Sequence, residues 1–258
     1  MGSGPDLLLY DLGMKALLRK TRAPVVPNTI TAITSSGARL ICADVSESLT
    51  YAIYKPKHNR IIPFADDTVQ RWTTGALGVV DYETSIGGDK FGNLWVLRVP
   101  EQASREADEE GVGGFIVNER GYLGGKPYRL DPRAHFFTQD IPMSVQRTSL
   151  VAGGADVLFW AGLQGTLGIL VPFASREDLE FFSQLEGLLR QEDAPISGRD
   201  HLMYRGYYVP VKGVVDGDLC ERFMGLTTDV KNKVAGEMDR TLGEVERKVG
   251  EMRGRVAF

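Results

Sequence analysis

TITAITSSGARLICADVSESLTYAIYKPKHNRIIPF, residues 29–64, decides the fold. Thr29-Ile30-Thr31-Ala32-Ile33-Thr34 alternates with period two and stops at Ser35-Ser36-Gly37. Residues 39–43, 49–54 and 60–64 follow as apolar runs, each closed by turn residues, so the stretch predicts four short consecutive strands. No long helical period interrupts them, which argues against parallel βαβ units. Upstream, Leu7-Leu8-Leu9-Tyr10 and Lys15-Ala16-Leu17-Leu18 flank Asp11-Leu12-Gly13, the turn chemistry of a hairpin.

A weak repeat organises the strands. Ala43-Asp44 is followed five positions after the Asp by Leu49 and a strand. Gly88-Asp89 is followed in the same way by Leu94-Trp95-Val96-Leu97-Arg98-Val99. Gly162-Leu163-Gln164-Gly165 leads into Leu167-Gly168-Ile169-Leu170-Val171. Asp44 and Asp89 stand 45 residues apart, near the blade length of four-stranded propeller repeats. Residues 101–114 are acidic, Gly-rich and without period, and read as a flexible, solvated loop inserted between blades. Up to Phe173 the strands amount to about three and a half blades, whereas closed propellers have about 4–8. The expectation is part of a ring, ordered against blades outside this sequence or against a partner.

After Phe173 the period becomes helical. Ser175-Arg176-Glu177-Asp178 reads as a capping box, and Leu179, Phe182, Leu185 and Leu189, widened by Phe181 and Leu188, form one apolar stripe. Asp218-Leu219-Cys220-Glu221 predicts the start of a second helix and Thr241-Leu242-Gly243-Glu244 of a third. In the third, Leu242, Val245, Val249, Met252 and Val256 form a narrow seam, and Gly243, Gly250 and Gly254 weaken it, so it is expected to form by docking. The fold class expected is therefore mainly β with α: a partial β-propeller, 5–173, then a small helical C-terminal domain, 174–258. Met1-Gly2-Ser3-Gly4 reads as a cloning scar outside the fold.

Chemistry is sparse. Two cysteines, Cys42 and Cys220, argue for a reducing compartment without a disulfide framework. His58, His135 and His201 have no second ligand at metal spacing. Gly124-Gly125-Lys126 is followed by Pro127 and misses the phosphate-loop pattern. Asp66-Asp67 and Asp216-Gly217-Asp218 resemble paired catalytic acids, but turn and helix-cap duty explains them better. A net charge of −4 disfavours unspecific nucleic-acid binding by bulk electrostatics. No apolar run approaches the roughly 18 residues of a membrane span. Tyr204, Tyr207 and Tyr208 with Arg199 and Arg205 suit base stacking or a protein interface, and the second is preferred because Tyr and Arg are enriched there. No enzyme and no cofactor is predicted.

Several motifs carry a resemblance in combination. They are Tyr10-Asp11-Leu12-Gly13, Phe64-Ala65-Asp66-Asp67-Thr68 with Arg71-Trp72, and Asp89-Lys90-Phe91-Gly92-Asn93. Gly168-Ile169-Leu170-Val171-Pro172-Phe173, Gly198-Arg199-Asp200-His201-Leu202, Pro210-Val211-Lys212 and Asp216-Gly217-Asp218-Leu219-Cys220-Glu221 follow, with the ending from Asp239-Arg240-Thr241 to Ala257-Phe258. From Pro5 to the end, except around 101–135, the sequence resembles the C-terminal part of the splicing factor 3b subunit 3 family, the large propeller subunits of that complex. The resemblance implies the last blades of a seven-bladed-type propeller and a helical domain, in a nuclear, non-catalytic scaffold that supports branch-site recognition. It implies as partners a HEAT-repeat subunit, a small PHD-finger-like zinc-binding subunit, a small ten-kilodalton-class subunit and the upstream propeller blades, with RNA met only through the particle and no membrane. The zinc would be the partner's. The wider superfamily includes a ubiquitin-ligase adaptor and a polyadenylation subunit, and these remain alternatives, as does direct RNA binding. For partner contact the reading selects Arg199, Asp200, His201, Tyr207, Tyr208, Asp216 and Asp218, in the irregular connection between blades and tail.

Overall fold

The computed structural model describes residues 1–109 and 126–256. They form two compact units, Met1–Gln146 with Trp160–Gly168, and Arg147–Phe159 with Ile169–Phe258.

Among the described residues the strands fall into four sheets. β1 (Gly2–Ser3), β2 (Asp6–Leu12) and β3 (Leu17–Pro24) make an antiparallel ribbon in that order. β4 (Ile30–Ser36), β5 (Arg39–Asp44), β6 (Ser48–Lys55) and β7 (Arg60–Asp66) form a four-stranded meander, the strands read from residues 29–64. β8 (Thr73–Val79), β9 (Thr84–Asp89) and β10 (Asn93–Arg98) continue a third sheet. Helix α1 (Glu101–Asp108) follows, then β11 (Tyr128–Arg129), which pairs parallel to β7, and β12 (Asp131–Phe137), which completes the third sheet beside β10. β13 (Pro142–Thr148), β14 (Val157–Gly162) and β15 (Leu167–Leu170) make the fourth. β5 and β6 are buried on nearly every residue, so period two shows clearly only in their neighbour β4, where exposure alternates along the strand. The core joins Ile41, Leu49, Tyr51, Ile53 and Phe64 of the second sheet to Trp95 and Leu97 of the third.

Two expectations are corrected here. Residues 101–108 are not a structureless loop: α1 buries Ala103, Ser104 and Ala107 in that core, while the rest of the expected loop, beyond Glu109, lies outside the described residues. Alanine carries little apolar signal, and what fixes the helix is remote in sequence. The buried guanidinium of Arg39 donates to Ser104 O at 3.0 Å, Ser104 Oγ at 2.8 Å and Asp108 at 2.9 Å. Nor do residues 1–4 stand outside the fold, since Gly2 and Ser3 pair with Leu7 and Asp6.

The Asp repeat has a physical basis. Asp44 accepts hydrogen bonds from the amides of Ser46 and Glu47, and Asp89 from those of Phe91 and Asn93, so each carboxylate pins the turn that follows it. At the third copy the sequence has Gly162, and a Cβ there would lie 2.1 Å from Asp140 Oδ2. Asp140 places its own carboxylate in that space and accepts from Gln164 N at 3.1 Å and Thr166 N at 3.3 Å. Relative to position 162 these are the same two amides that Asp89 binds relative to itself.

The second unit carries α2 (Arg176–Glu192), α3 (Gly217–Arg222), α4 (Thr228–Glu237) and α5 (Leu242–Val256) around Phe181, Phe182, Leu185, Leu189, Leu219, Phe223, Val234, Val245 and Val249. Ser175 caps α2 as read, accepting from Asp178 N, and Thr241 with Glu244 forms a complete capping box on α5. Asp178 does not reach back to the cap: Lys248 meets it at 2.5 Å and Arg255 at 2.8 Å, and these cations hold its carboxyl below the usual range. Leu179 is exposed rather than buried, α3 is capped by Asp216 rather than started at Asp218, and α4 was not expected.

Candidate protein interface

Between α2 and α3 the chain runs through a short 3-10 turn, His201–Tyr204, and this irregular stretch is locked by charge. Asp200 caps the turn through Leu202 N at 2.9 Å and is itself gripped by Arg190 of α2. Asp216, 2% exposed, is the centre. His201 Nε2 donates to its Oδ2 at 2.5 Å and Arg205 Nε at 2.7 Å, while its Oδ1 accepts from Asp218 N and Leu219 N and so caps α3. The backbone amide of Asp216 donates to Glu186 Oε1 of α2 at 3.0 Å. Arg205 also reaches Asp218 at 2.8 Å.

Burial pushes the Asp216 carboxyl up, but the His201 hydrogen bond and the Arg205 charge outweigh it and hold the group below its ordinary value. Burial pushes Glu186 up, and the negative charge of Asp216 adds to that against the relief from the Asp216 amide. An ionised Asp216 offers only acceptors, so His201 must carry its proton on Nε2.

In the same connection the chain exposes apolar side chains. Met203 is 64% exposed, Tyr207 49%, Tyr208 48%, and Ile196 is fully exposed. The two tyrosine rings meet edge to face with centroids 5.6 Å apart. Tyr208 sits at φ +51° while Val209 N donates to Tyr207 O at 2.7 Å, a tight turn that a bulky residue rarely adopts. Strain of this kind persists only where the surroundings over-determine it.

The seven residues selected from sequence thus divide. Asp216 and His201 are buried supports, Asp200 is bound to Arg190, and Asp218, though exposed, is held by Arg205. Arg199, Tyr207 and Tyr208 face solvent. Sequence reasoning missed Glu186 and Arg190, whose partners lie 30 and 10 residues away, and Ile196 and Met203, whose signal is only that of large apolar residues inside a polar loop. Among the described residues no group of three or more His, Cys, Asp or Glu side chains could hold a metal ion, and no helix is long and apolar enough to cross a membrane.

A family model described as the CPSF A subunit region matches residues 1–225. The chain is 56% identical to pre-mRNA-splicing factor rse1 of Emericella nidulans, over 100% of this chain and 21% of that protein. It is 50% identical to pre-mRNA-splicing factor prp12 of Schizosaccharomyces pombe, over 93% of this chain and 20% of that protein. It is 44% identical to the probable splicing factor 3B subunit 3 of Dictyostelium discoideum, over 93% and 19%. The chain therefore spans about a fifth of the length of the curated relatives it matches.

Proposed function

This chain belongs to the CPSF A subunit region family, and we propose that it serves pre-mRNA splicing as a non-catalytic scaffold of the splicing factor 3b complex. In this reading the four sheets are the last blades of a β-propeller and α2 to α5 are its helical C-terminal domain. The recurring carboxylate-pinned turns of Asp44, Asp89 and Asp140 support the blade assignment. The names of the relatives support the process, and nuclear localisation goes with it.

The observation that carries the scaffold reading is the tyrosine face. Tyr207, Tyr208, Met203 and Ile196 are exposed in the connection between α2 and α3, which also carries a buried charge cluster on Asp216. Rigid, exposed aromatic and Met side chains over an ordered support are what protein interfaces use as anchors. Arg205, which a nucleic-acid reading would need for phosphate, is committed to Asp216 and Asp218. The partners proposed are the HEAT-repeat subunit and the small PHD-finger-like and ten-kilodalton-class subunits, with RNA met through the particle.

The test is co-purification of the full-length protein with a tagged HEAT-repeat subunit and both small subunits. A variant carrying Met203→Ala, Tyr207→Ala and Tyr208→Ala should fold normally and lose at least about tenfold in retention, as expected when anchor residues are truncated. Undiminished retention would remove the tyrosine face from the interface.

A further inference from the structure

The Tyr10-Asp11-Leu12-Gly13 motif takes no part in the tyrosine face. It forms the outer half of the β2–β3 hairpin, and that hairpin is built in two halves. Its base is anchored: Leu7, and Val25 and Val26 just past β3, are buried with Cys42, Ala52 and Ile61. Arg22 Nε donates to Asp6 at 2.9 Å across the base, and Asn59 Nδ2 donates to Lys20 O at 2.8 Å from outside the ribbon.

Outward from there burial vanishes. Leu12 is 89% exposed, Leu17 56%, Leu18 62%, and Met14 is fully exposed. Leu12 pairs with Leu17 across the ribbon, so the two share a face, and Leu18, opposite Asp11, points to the other. Gly13 N donates to Ala16 O at 3.1 Å and closes the turn, and a Cβ on Gly13 would stand 2.8 Å from that same oxygen. The tip is therefore a tight reversal on a pinned base, carrying four large apolar side chains into solvent.

An apolar cluster at a hairpin tip invites association unless something covers it. Around it the charge is one-sided. Lys15 and Arg19 are exposed, Lys20 and Arg22 flank them, and the acids Asp11 and Asp6 are already engaged by Lys20 and Arg22.

We propose that this hairpin tip is a docking knob that inserts Leu12, Met14, Leu17 and Leu18 into an apolar groove on a partner protein, rimmed by Asp and Glu that meet Lys15 and Arg19. Charge disfavours a second copy, which would bring the same cations against each other. The knob belongs to the strand unit and stands or falls independently of the tyrosine face.

The experiment uses the full-length protein, free and in its assembled complex, with a photo-crosslinker at Leu17 and hydroxyl-radical labelling of Met14. Expected are protection of Met14 by about tenfold on assembly and crosslinks to a peptide of another subunit that contains Asp or Glu beside apolar residues. Leu12→Ser with Leu17→Ser should abolish both the protection and that subunit's retention, while Met203→Ala with Tyr207→Ala leaves Met14 protected. Equal labelling of Met14 in both states overturns the proposal. So do crosslinks only within the same polypeptide or between two copies, and so does protection by anionic lipid vesicles alone.

Discussion

Replacing Asp216 by Ala should be the most damaging single change in the helical unit. The substitution removes the cap of α3, worth about 1 kcal/mol, and leaves the guanidinium of Arg205 and the ring of His201 facing an empty site. Removing one partner of a buried ion pair costs about 3–5 kcal/mol, and the two losses overlap because the same carboxylate does both. Asp216→Asn keeps the cap, since Asn serves as well as Asp, and should lose only the charge-assisted part, about 1.5–3 kcal/mol. Urea unfolding followed by circular dichroism at the helix band reads the difference. With a slope of about 2 kcal/mol per molar, Asp216→Ala should lower the midpoint by about 2 M and Asp216→Asn by roughly half that. A double-mutant cycle with His201→Ala should show coupling of at least about 0.5 kcal/mol. If Ala and Asn cost the same, or Ala costs under about 1 kcal/mol, Asp216 does not organise the connection between α2 and α3.

Gly250→Ala on α5 should stabilise by about 0.5–1 kcal/mol in the same assay, because a Cβ there meets nothing within 4 Å and the helix gains propensity. Gly162→Ala should destabilise by about 1–3 kcal/mol, measured by tryptophan fluorescence during unfolding, since the new methyl occupies the place of the Asp140 carboxylate. The pH dependence has two opposite parts. Asp216 and Asp178 are held below their ordinary value of 3.8, so their stabilisation is complete above that value and is lost as pH falls through their lower folded values. Glu186 is raised above 4.5, so its charge costs stability once pH rises through that raised value. Glu186→Gln should therefore raise the unfolding midpoint at about pH 7 and leave it unchanged at about pH 4.

What could be read from the sequence was what neighbours in the chain decide. Apolar runs and turn residues place β4 to β7, and Ser175 and Thr241 announce their helices, because hairpins and caps are local, whereas the first reversal falls at 13–16 rather than at Asp11-Leu12-Gly13. What could not be read depended on residues far apart. α1 is fixed by Arg39, more than sixty residues upstream of its partner Ser104. Either acid in Asp216-Gly217-Asp218 could have capped α3, and Glu186 settles the matter by taking the amide of Asp216 from another helix. The third turn of the repeat hides its aspartate because Asp140 supplies it from another strand connection. Of the residues selected for partner contact, the tyrosines and Arg199 are exposed. His201 and Asp216 were selected as contacts and are supports, since a buried network and a surface patch look alike in one dimension.

The most direct test of the scaffold account is add-back in a splicing extract depleted of the full-length protein. The account predicts that pre-mRNA stays unspliced after depletion and that the intact protein restores splicing. The protein carrying Met203→Ala, Tyr207→Ala and Tyr208→Ala should remain folded and fail to restore it. Splicing that proceeds undiminished in the depleted extract, or full rescue by the altered protein, would contradict it.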